Sequence, residues 1–229
     1  MENRCEHCII RQLNALKTLD KKTLKTISDS KQTKTLKKGE AIFKEGELLN
    51  GVFCVRNGVS KLSKLSTDGK NQIVKLATKG EVLGQRSVIS HETTNLSAVA
   101  LDDMEVCFIP KNHFEDNINT NPEFTKQLLL HMAKDLKSAD NLIVNISNKT
   151  VKQRIAEAII YLYTNFGLDN DGYISIVLSR ADIADVVGTA TEACIRTLSS
   201  LKKENLISLK GKQIKIENIK ALETIVNGF

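Results

Sequence analysis

Residues 178–207, LSRADIADVVGTATEACIRTLSSLKKENLI, carry the pattern of two helices joined by a tight turn. Ser179 is placed to cap the first helix, with Asp182 three residues on, the spacing of a capping box. Ile183, Val186 and Val187 give that helix an apolar side. Gly188 supplies the turn, because glycine is free to take the left-handed conformation that ends a helix. The second helix is predicted from about Ala190 to Glu204. Its apolar residues Cys194, Ile195, Leu198 and Leu201 recur at three- and four-residue steps and are expected to face inward. Thr191, Glu192 and Arg196 fall on another face near the helix start.

Two helices so arranged form a helix-turn-helix, a motif that sets the N-terminal residues of its second helix in the DNA major groove. Glu192 and Arg196, four apart, stand one above the other on that face. Arginine bonds guanine O6 and N7 bidentately, and glutamate accepts from cytosine N4. The same two residues also fit a plain surface ion pair worth a few tenths of a kcal/mol. The residues after the second helix favour DNA. Ile207–Leu209 and Ile214–Ile216 are short β runs around Lys210-Gly211-Lys212. A hairpin directly after a helix-turn-helix is a wing, and its lysines reach phosphates. Ser179 and Arg180, at the start of the first helix, join Thr191, Glu192, Arg196, Lys210 and Lys212 as the expected DNA-binding set.

On these residues the chain resembles the CRP/FNR family of bacterial transcription regulators. The family's recognition segment is roughly G-x-[ST]-x-E-x-x-x-R, and here it reads Gly188-Thr-Ala-Thr-Glu192-Ala-Cys-Ile-Arg196. The glutamate and arginine match. Ala190 displaces the small hydroxyl residue, and Thr191 stands where the cAMP receptor branch has a further base-reading arginine, so the target sequence carries over in part.

The 229 residues suit two modest domains, each with its own core. The net charge of +6 fits an anionic partner. Between Ala190 and Lys215 six Lys/Arg stand against two acidic residues, a local excess of four positive charges around the proposed reading helix and wing. The start, Met-Glu-Asn-Arg-Cys, has the character of no signal peptide, and no apolar run is long enough to cross a membrane. A cytoplasmic location is expected, where thiols stay reduced, so the five cysteines suit metal binding, redox chemistry or burial better than disulfides. A Gly-rich phosphate loop, a nucleophile elbow and an ordered Cys–His–acid set are all missing, which argues against an enzyme.

From Thr33 to Pro110 short strands alternate with turn signals at Gly39, Gly46, Gly51, Gly58, Asp68-Gly69, Gly80 and Gly84, spacing that suits a β-sandwich or barrel. Lys38-Gly-Glu-Ala-Ile-Phe-Lys-Glu-Gly46, with Asn57-Gly58 and Gly80-Glu81, resembles the cyclic-nucleotide-binding jelly roll of the same family. Asn121-Pro122 starts a long helix, in which Phe124, Leu128, Met132, Leu136, Ala139, Ile143 and Ile146 line one face. That seam suits a dimer helix, with part of it packing on the chain's own β-domain. A further amphipathic helix spans Thr150–Phe166, and after Asp169-Asn-Asp-Gly172 a strand is expected at Tyr173–Val177. The expected fold is α+β: a β jelly-roll sensor domain over 1–120, with the cysteine segment and helices in 1–32; a dimerisation helix over 121–148; and a winged helix-turn-helix over 149–229. The resemblance implies a homodimer on double-stranded DNA, with RNA polymerase as a further partner.

The signal is the open question. The family's nucleotide cassette pairs a carboxylate for the ribose with an arginine for the phosphate. Gln85 and Leu96 stand at those positions, so cAMP is not expected. The oxygen-sensing FNR branch holds an iron–sulfur cluster on an N-terminal C-x2-C-x5-C and a later cysteine in a segment ending V-C-x-I-P. Cys5, Cys8 and Cys107 match, and Asn14 stands where the third N-terminal cysteine falls. Three readings are open. Cys54, on a strand that in the family lies beside that of Cys107, supplies the fourth thiolate; a non-cysteine ligand such as His7 or Asn14, or an exogenous one, completes the cluster; or the cluster is lost. Zinc or thiol redox chemistry fits Cys-x-x-Cys as well, and a cyclic-nucleotide or haem sensor remains the alternative, although no axial-ligand motif for haem stands out.

Overall fold

The computed structural model describes residues 4–67 and 69–228. The N-terminal Met1–Asn3, on which the signal-peptide expectation partly rests, and Asp68 of the expected Asp68-Gly69 turn lie outside the described residues. The chain divides into two compact units, Met1–Leu65 with Val74–Ser138, and Ser66–Ile73 with Ala139–Phe229.

In the first unit three 3-10 turns, Cys5–His7, Ile9–Leu13 and Ala15–Thr18, precede helix α1 (Lys21–Ser30). Asp20 caps α1, its carboxylate accepting from the Thr23 amide at 2.7 Å. Strands β1 (Gln32–Leu36), β2 (Ala41–Phe43), β3 (Gly51–Asn57), β4 (Ser60–Leu65), β5 (Asn71–Ala77) and β6 (Val82–Leu83) follow, then helix α2 (Gln85–Ser90), β7 (Ser97–Ala100) and β8 (Met104–Pro110). They form two four-stranded sheets, ordered β1-β8-β3-β6 and β2-β7-β4-β5. β8 runs antiparallel to β1 and β3, and β7 antiparallel to β2 and β4. Period-two alternation turns Phe53, Val55, Val106, Ala98 and Ala100 into a shared core with Phe43, Leu62 and Leu83. This is the expected jelly roll. Helix α3 (Lys111–Thr120) and the long α4 (Pro122–Asn148) follow.

The apolar seam of α4 has two fates. Phe124 and Leu128 are buried in the jelly-roll core, Phe124 edge-on to Phe114. Leu136 and Ile143, further along the same seam, are 64% and 65% exposed.

The second unit holds helix α5 (Val151–Phe166), α6 (Arg180–Val187), α7 (Thr191–Lys203), the hairpin β9 (Ile207–Lys210) and β10 (Gln213–Ile216), and α8 (Ile219–Asn227). Thr150 begins α5 with a reciprocal capping box to Gln153. Ile155, Ile159, Ile174, Ile183, Leu198, Leu201, Ile207 and Leu222 are buried. Two expectations are corrected. Tyr173–Val177 is not a strand: a single bridge joins Leu168 to Ile174, because the Asp169 carboxylate takes the amides of Asp171 and Tyr173 and closes the segment as a turn. Ile195 does not face inward; it is 46% exposed. The buried stripe of α7 is Cys194, Leu198 and Leu201, at helical steps of four and three, and the next residue along from Cys194 is rotated about 100° away from it.

Candidate functional site

The reader is built as its sequence suggests. Ser179 Oγ accepts from the Asp182 amide at 3.0 Å while the Asp182 carboxylate takes the Ser179 amide at 3.2 Å, so both residues are committed to capping α6. Gly188 then turns the chain at φ 65° and ψ 55°. A side chain there would be strained by that backbone angle. Arg154 of α5 fixes the turn, its guanidinium donating to the carbonyls of Val187 at 2.6 Å and Gly188 at 3.2 Å. These contacts set the start of α7 relative to α6.

On α7, Glu192 and Arg196 are exposed, and among the described residues neither has a hydrogen-bond or ion-pair partner. The expected alternative, a surface Glu192–Arg196 ion pair, is not formed. Thr191 opens the helix and is half-buried. Ile195 stands one turn beyond Thr191 on the exposed side, beside Arg196, and is a residue that the pattern of apolar spacing misplaced. In the hairpin, Lys210 pairs with Gln213 in register, so Gly211 and Lys212 form its tip. Lys212 is exposed, and the Lys210 ammonium lies over the Tyr173 ring, 5.9 Å from its centroid. Arg180 is not a free cation. It donates to the carbonyl of Gly211 at 2.8 Å and lies 3.4 Å from that of Lys212, tying the start of α6 to the wing tip.

A second cluster lies in the first unit. Cys54 on β3 and Cys107 on β8 are direct register partners. Their neighbours Phe53, Val55 and Val106 point into the main core, so the two sulfurs emerge on the other face of the sheet. There they form a small separate buried group with Ile10, against which Cys8 packs. The N-terminal segment covers this face because it is pinned down. The Cys5 amide donates to Ser28 Oγ at 2.5 Å, and Arg4 pairs with Asp29 at 3.0 Å. Gly80 lets this segment come close: a Cβ there would meet Leu13 at 2.4 Å. Cys5 is also buried. Burial, together with the Cys107, Cys8 and Cys5 thiols nearby, pushes the Cys54 thiol up to about 12, with the Asn14 amide opposing. Burial also raises the Cys107 thiol, against the pull of Lys31, whose ammonium is 3.7 Å from its sulfur. His7 is exposed. Cys194 is buried in α7, in the other unit.

Among the described residues no three His, Cys, Asp or Glu side chains converge closely enough for a single metal ion. A polynuclear cluster with bridging sulfides spans more than one ion, so its ligands stand further apart. The chemistry of the set, soft sulfur donors gathered from two strands and the N-terminal segment, fits such a group.

The first unit also carries a half-open cleft of about 380 Å³, lined by Phe43, Leu62, Lys75, Gln85, Leu96 and Asp135 among others. Gln85 and Leu96 are both buried, whereas Arg86, at the cleft edge, is exposed.

A jelly roll followed by a long helix and a winged helix-turn-helix is the architecture of an effector-controlled DNA-binding regulator. Residues 33–121 match the cyclic nucleotide-binding domain family, and residues 153–225 the Crp-like helix-turn-helix domain family. The chain is 31% identical to electron transport regulator A of Shewanella oneidensis over 92% of its own length and 85% of that protein's. It is 29% identical to the fumarate and nitrate reduction regulatory protein of Yersinia pestis, covering 95% of this chain and 88% of that protein. The solved structure of FixK2 from Bradyrhizobium japonicum superposes with a TM-score of 0.76 at 26% identity, covering 85% of this chain and 96% of that one. The chain belongs to the CRP/FNR family, as a DNA-binding transcription regulator.

Proposed function

We propose that two copies of the chain, paired through the exposed stretch of α4, read a near-palindromic operator by placing α7 of each copy in successive major grooves. The observation that carries this reading is the pair of exposed, unpartnered base-reading side chains, Glu192 and Arg196, on the N-terminal half of α7. Arg196 takes guanine and Glu192 the cytosine of one C·G pair in each half-site. Ile195 beside them offers methyl groups to a thymine methyl. Thr191 at the helix start, and Lys210 and Lys212 of the wing, contact phosphates. Ser179 and Arg180 act through the cap and the wing they hold. RNA polymerase is the partner through which a bound dimer acts, in the cytoplasm. Arg196→Ala is expected to lose about 1–3 kcal/mol of operator affinity and to relax selectivity at one base pair per half-site. Binding of every operator variant at wild-type strength by Arg196→Ala would refute the assignment.

The signal we assign to the cysteine cluster. Cys5, Cys8 and Cys107 would hold an iron–sulfur cluster, which supplies a redox- and oxygen-sensitive charge when bound. The pinned N-terminal segment packs Cys8 against the group of Cys54 and Cys107 and buries Cys5 close by, and the Lys31 ammonium stands 3.7 Å from the Cys107 sulfur. The relatives' names, which speak of electron transport and of fumarate and nitrate reduction, accord with a redox signal. At the two positions of the family's nucleotide cassette, Gln85 and Leu96 offer neither a carboxylate for the ribose nor a cation for the phosphate, which speaks against cAMP. Protein purified without oxygen is expected to be brown and to contain iron and acid-labile sulfide. Colourless, iron-free protein would end the cluster reading while leaving the DNA reading intact.

A further inference from the structure

The N-terminal segment offers two cysteines to the cluster proposed above, and the position that would supply a third is Asn14. We propose that Cys54 is the fourth sulfur ligand of that cluster, and that Asn14 is not a ligand but the hydrogen-bond donor that orients the Cys54 sulfur. The inference rests on the cluster reading and concerns which side chains complete it.

Asn14 turns its amide nitrogen, not its oxygen, toward the cysteine group. Its side chain is 1% exposed, and both of its polar ends are engaged. The carbonyl Oδ1 accepts from the Leu16 amide at 3.0 Å, capping the 3-10 turn Ala15–Thr18. The amide Nδ2 donates to the Gly80 carbonyl at 2.9 Å and to Cys54 Sγ at 3.4 Å. An amide nitrogen has no lone pair to give, so Asn14 approaches the sulfur as a donor.

Cys54 meets the requirements that Asn14 fails. It stands opposite Cys107 in register, on the sheet face that the cysteine-bearing segment covers. It belongs to the same small group as Cys107 and Ile10, with Cys8 packed on it. On ligation the Cys54 thiol gives its proton to water and its sulfur lone pair to iron, and no electron is transferred. The Asn14 N–H then faces a sulfur carrying more negative charge, where a hydrogen bond is stronger. Hydrogen bonds to cluster sulfurs favour the more negative, reduced form and so raise the reduction potential.

The test compares wild type, Cys54→Ala, Asn14→Ala, Cys194→Ser and the double variant Cys54→Ala/Asn14→Cys, all full-length and purified without oxygen. Iron and sulfide per chain, the visible spectrum and the reduction potential are measured. Wild type and Cys194→Ser are expected to load fully. Cys54→Ala is expected to lose iron and sulfide, and the added thiol of the double variant to restore them, which a merely unfolded Cys54→Ala protein could not do. Asn14→Ala is expected to keep its iron and shift to a lower potential. Full iron with an unchanged spectrum in Cys54→Ala would overturn the proposal, as would loss of iron in Asn14→Ala with its fold intact by circular dichroism. An iron-free wild type would instead mark failure of the cluster reading itself.

Discussion

The Arg180 guanidinium donates to the backbone carbonyl of Gly211 at 2.8 Å, joining the first turn of α6 to the tip of the wing. Charged hydrogen bonds of this kind contribute about 1.5–3 kcal/mol. Arg180→Ala is therefore expected to free the wing. Amide hydrogen exchange at Lys212 and Gln213 should rise in the absence of DNA, and operator affinity should fall about tenfold for every operator variant alike. Unchanged exchange in the wing would show that the bond does not hold it.

Ile195 is 46% exposed beside Arg196, the residue proposed to take guanine. If its methyls meet a thymine methyl, burying that pair contributes roughly 0.8 kcal/mol, about fourfold in affinity. Replacing one thymine per half-site by deoxyuridine removes only that methyl. The wild type is expected to lose affinity at one such position, and Ile195→Ala to show no loss there. Equal loss in both proteins would place Ile195 away from the base edge.

The helix-turn-helix was readable because several local signals agree: the Ser179–Asp182 box, the left-handed Gly188, and the Cys194, Leu198, Leu201 stripe. Ile195 was misplaced because an apolar residue adjacent to a stripe satisfies loose three-four spacing while pointing elsewhere. The Tyr173–Val177 run has strand composition, but the Asp169 carboxylate takes the Tyr173 amide and closes a turn at its start, and the Ile174 and Ser175 amides then go to two different segments, the carbonyls of Ile214 and Gly167. Helices α2 and α3 have too little apolar periodicity to announce themselves. In α4 the repeat shows that a face is apolar but not what covers it, and the two ends of that face differ. The cysteine group is set by strand register. Cys54 and Cys107 are far apart in sequence, so neither spacing nor composition brings them together; the expectation came from family resemblance, and the pairing of β3 with β8 supplies the geometry.

The two fates of the α4 seam predict two different phenotypes. Leu136 and Ile143 are exposed, whereas Phe124 is 1% exposed inside the jelly-roll core. Ile143→Asp is expected to convert a dimer to a monomer in sedimentation, with the melting temperature of each unit little changed. Phe124→Ala is expected to cost about 3–5 kcal/mol of stability through the cavity it leaves. A dimeric Ile143→Asp protein would remove the exposed stretch of α4 from the subunit interface.

Lys75 on β5 bridges two carboxylates, Glu81 Oε2 at 2.5 Å and Asp135 Oδ1 of α4 at 2.8 Å. All three side chains are less than a third exposed. Burial pulls the Lys75 ammonium down, but Glu81 and Asp135 outweigh it and the net shift is upward. Burial raises the Glu81 carboxyl above its ordinary value of 4.5, with Lys75 opposing. A carboxyl raised on folding binds its proton more tightly in the folded state, so its contribution to stability is present at low pH and is lost as pH rises through the raised value. Lys75→Met leaves Glu81 and Asp135 facing each other without a cation, at a cost of about 2 kcal/mol near pH 7, below the range for a fully buried pair. Because Glu81 is then the more easily protonated, the deficit measured by urea unfolding is expected to shrink between pH 7 and pH 5. An equal deficit at both pH values would mean that the loss comes from packing of the lysine stem and not from the unpaired carboxylates.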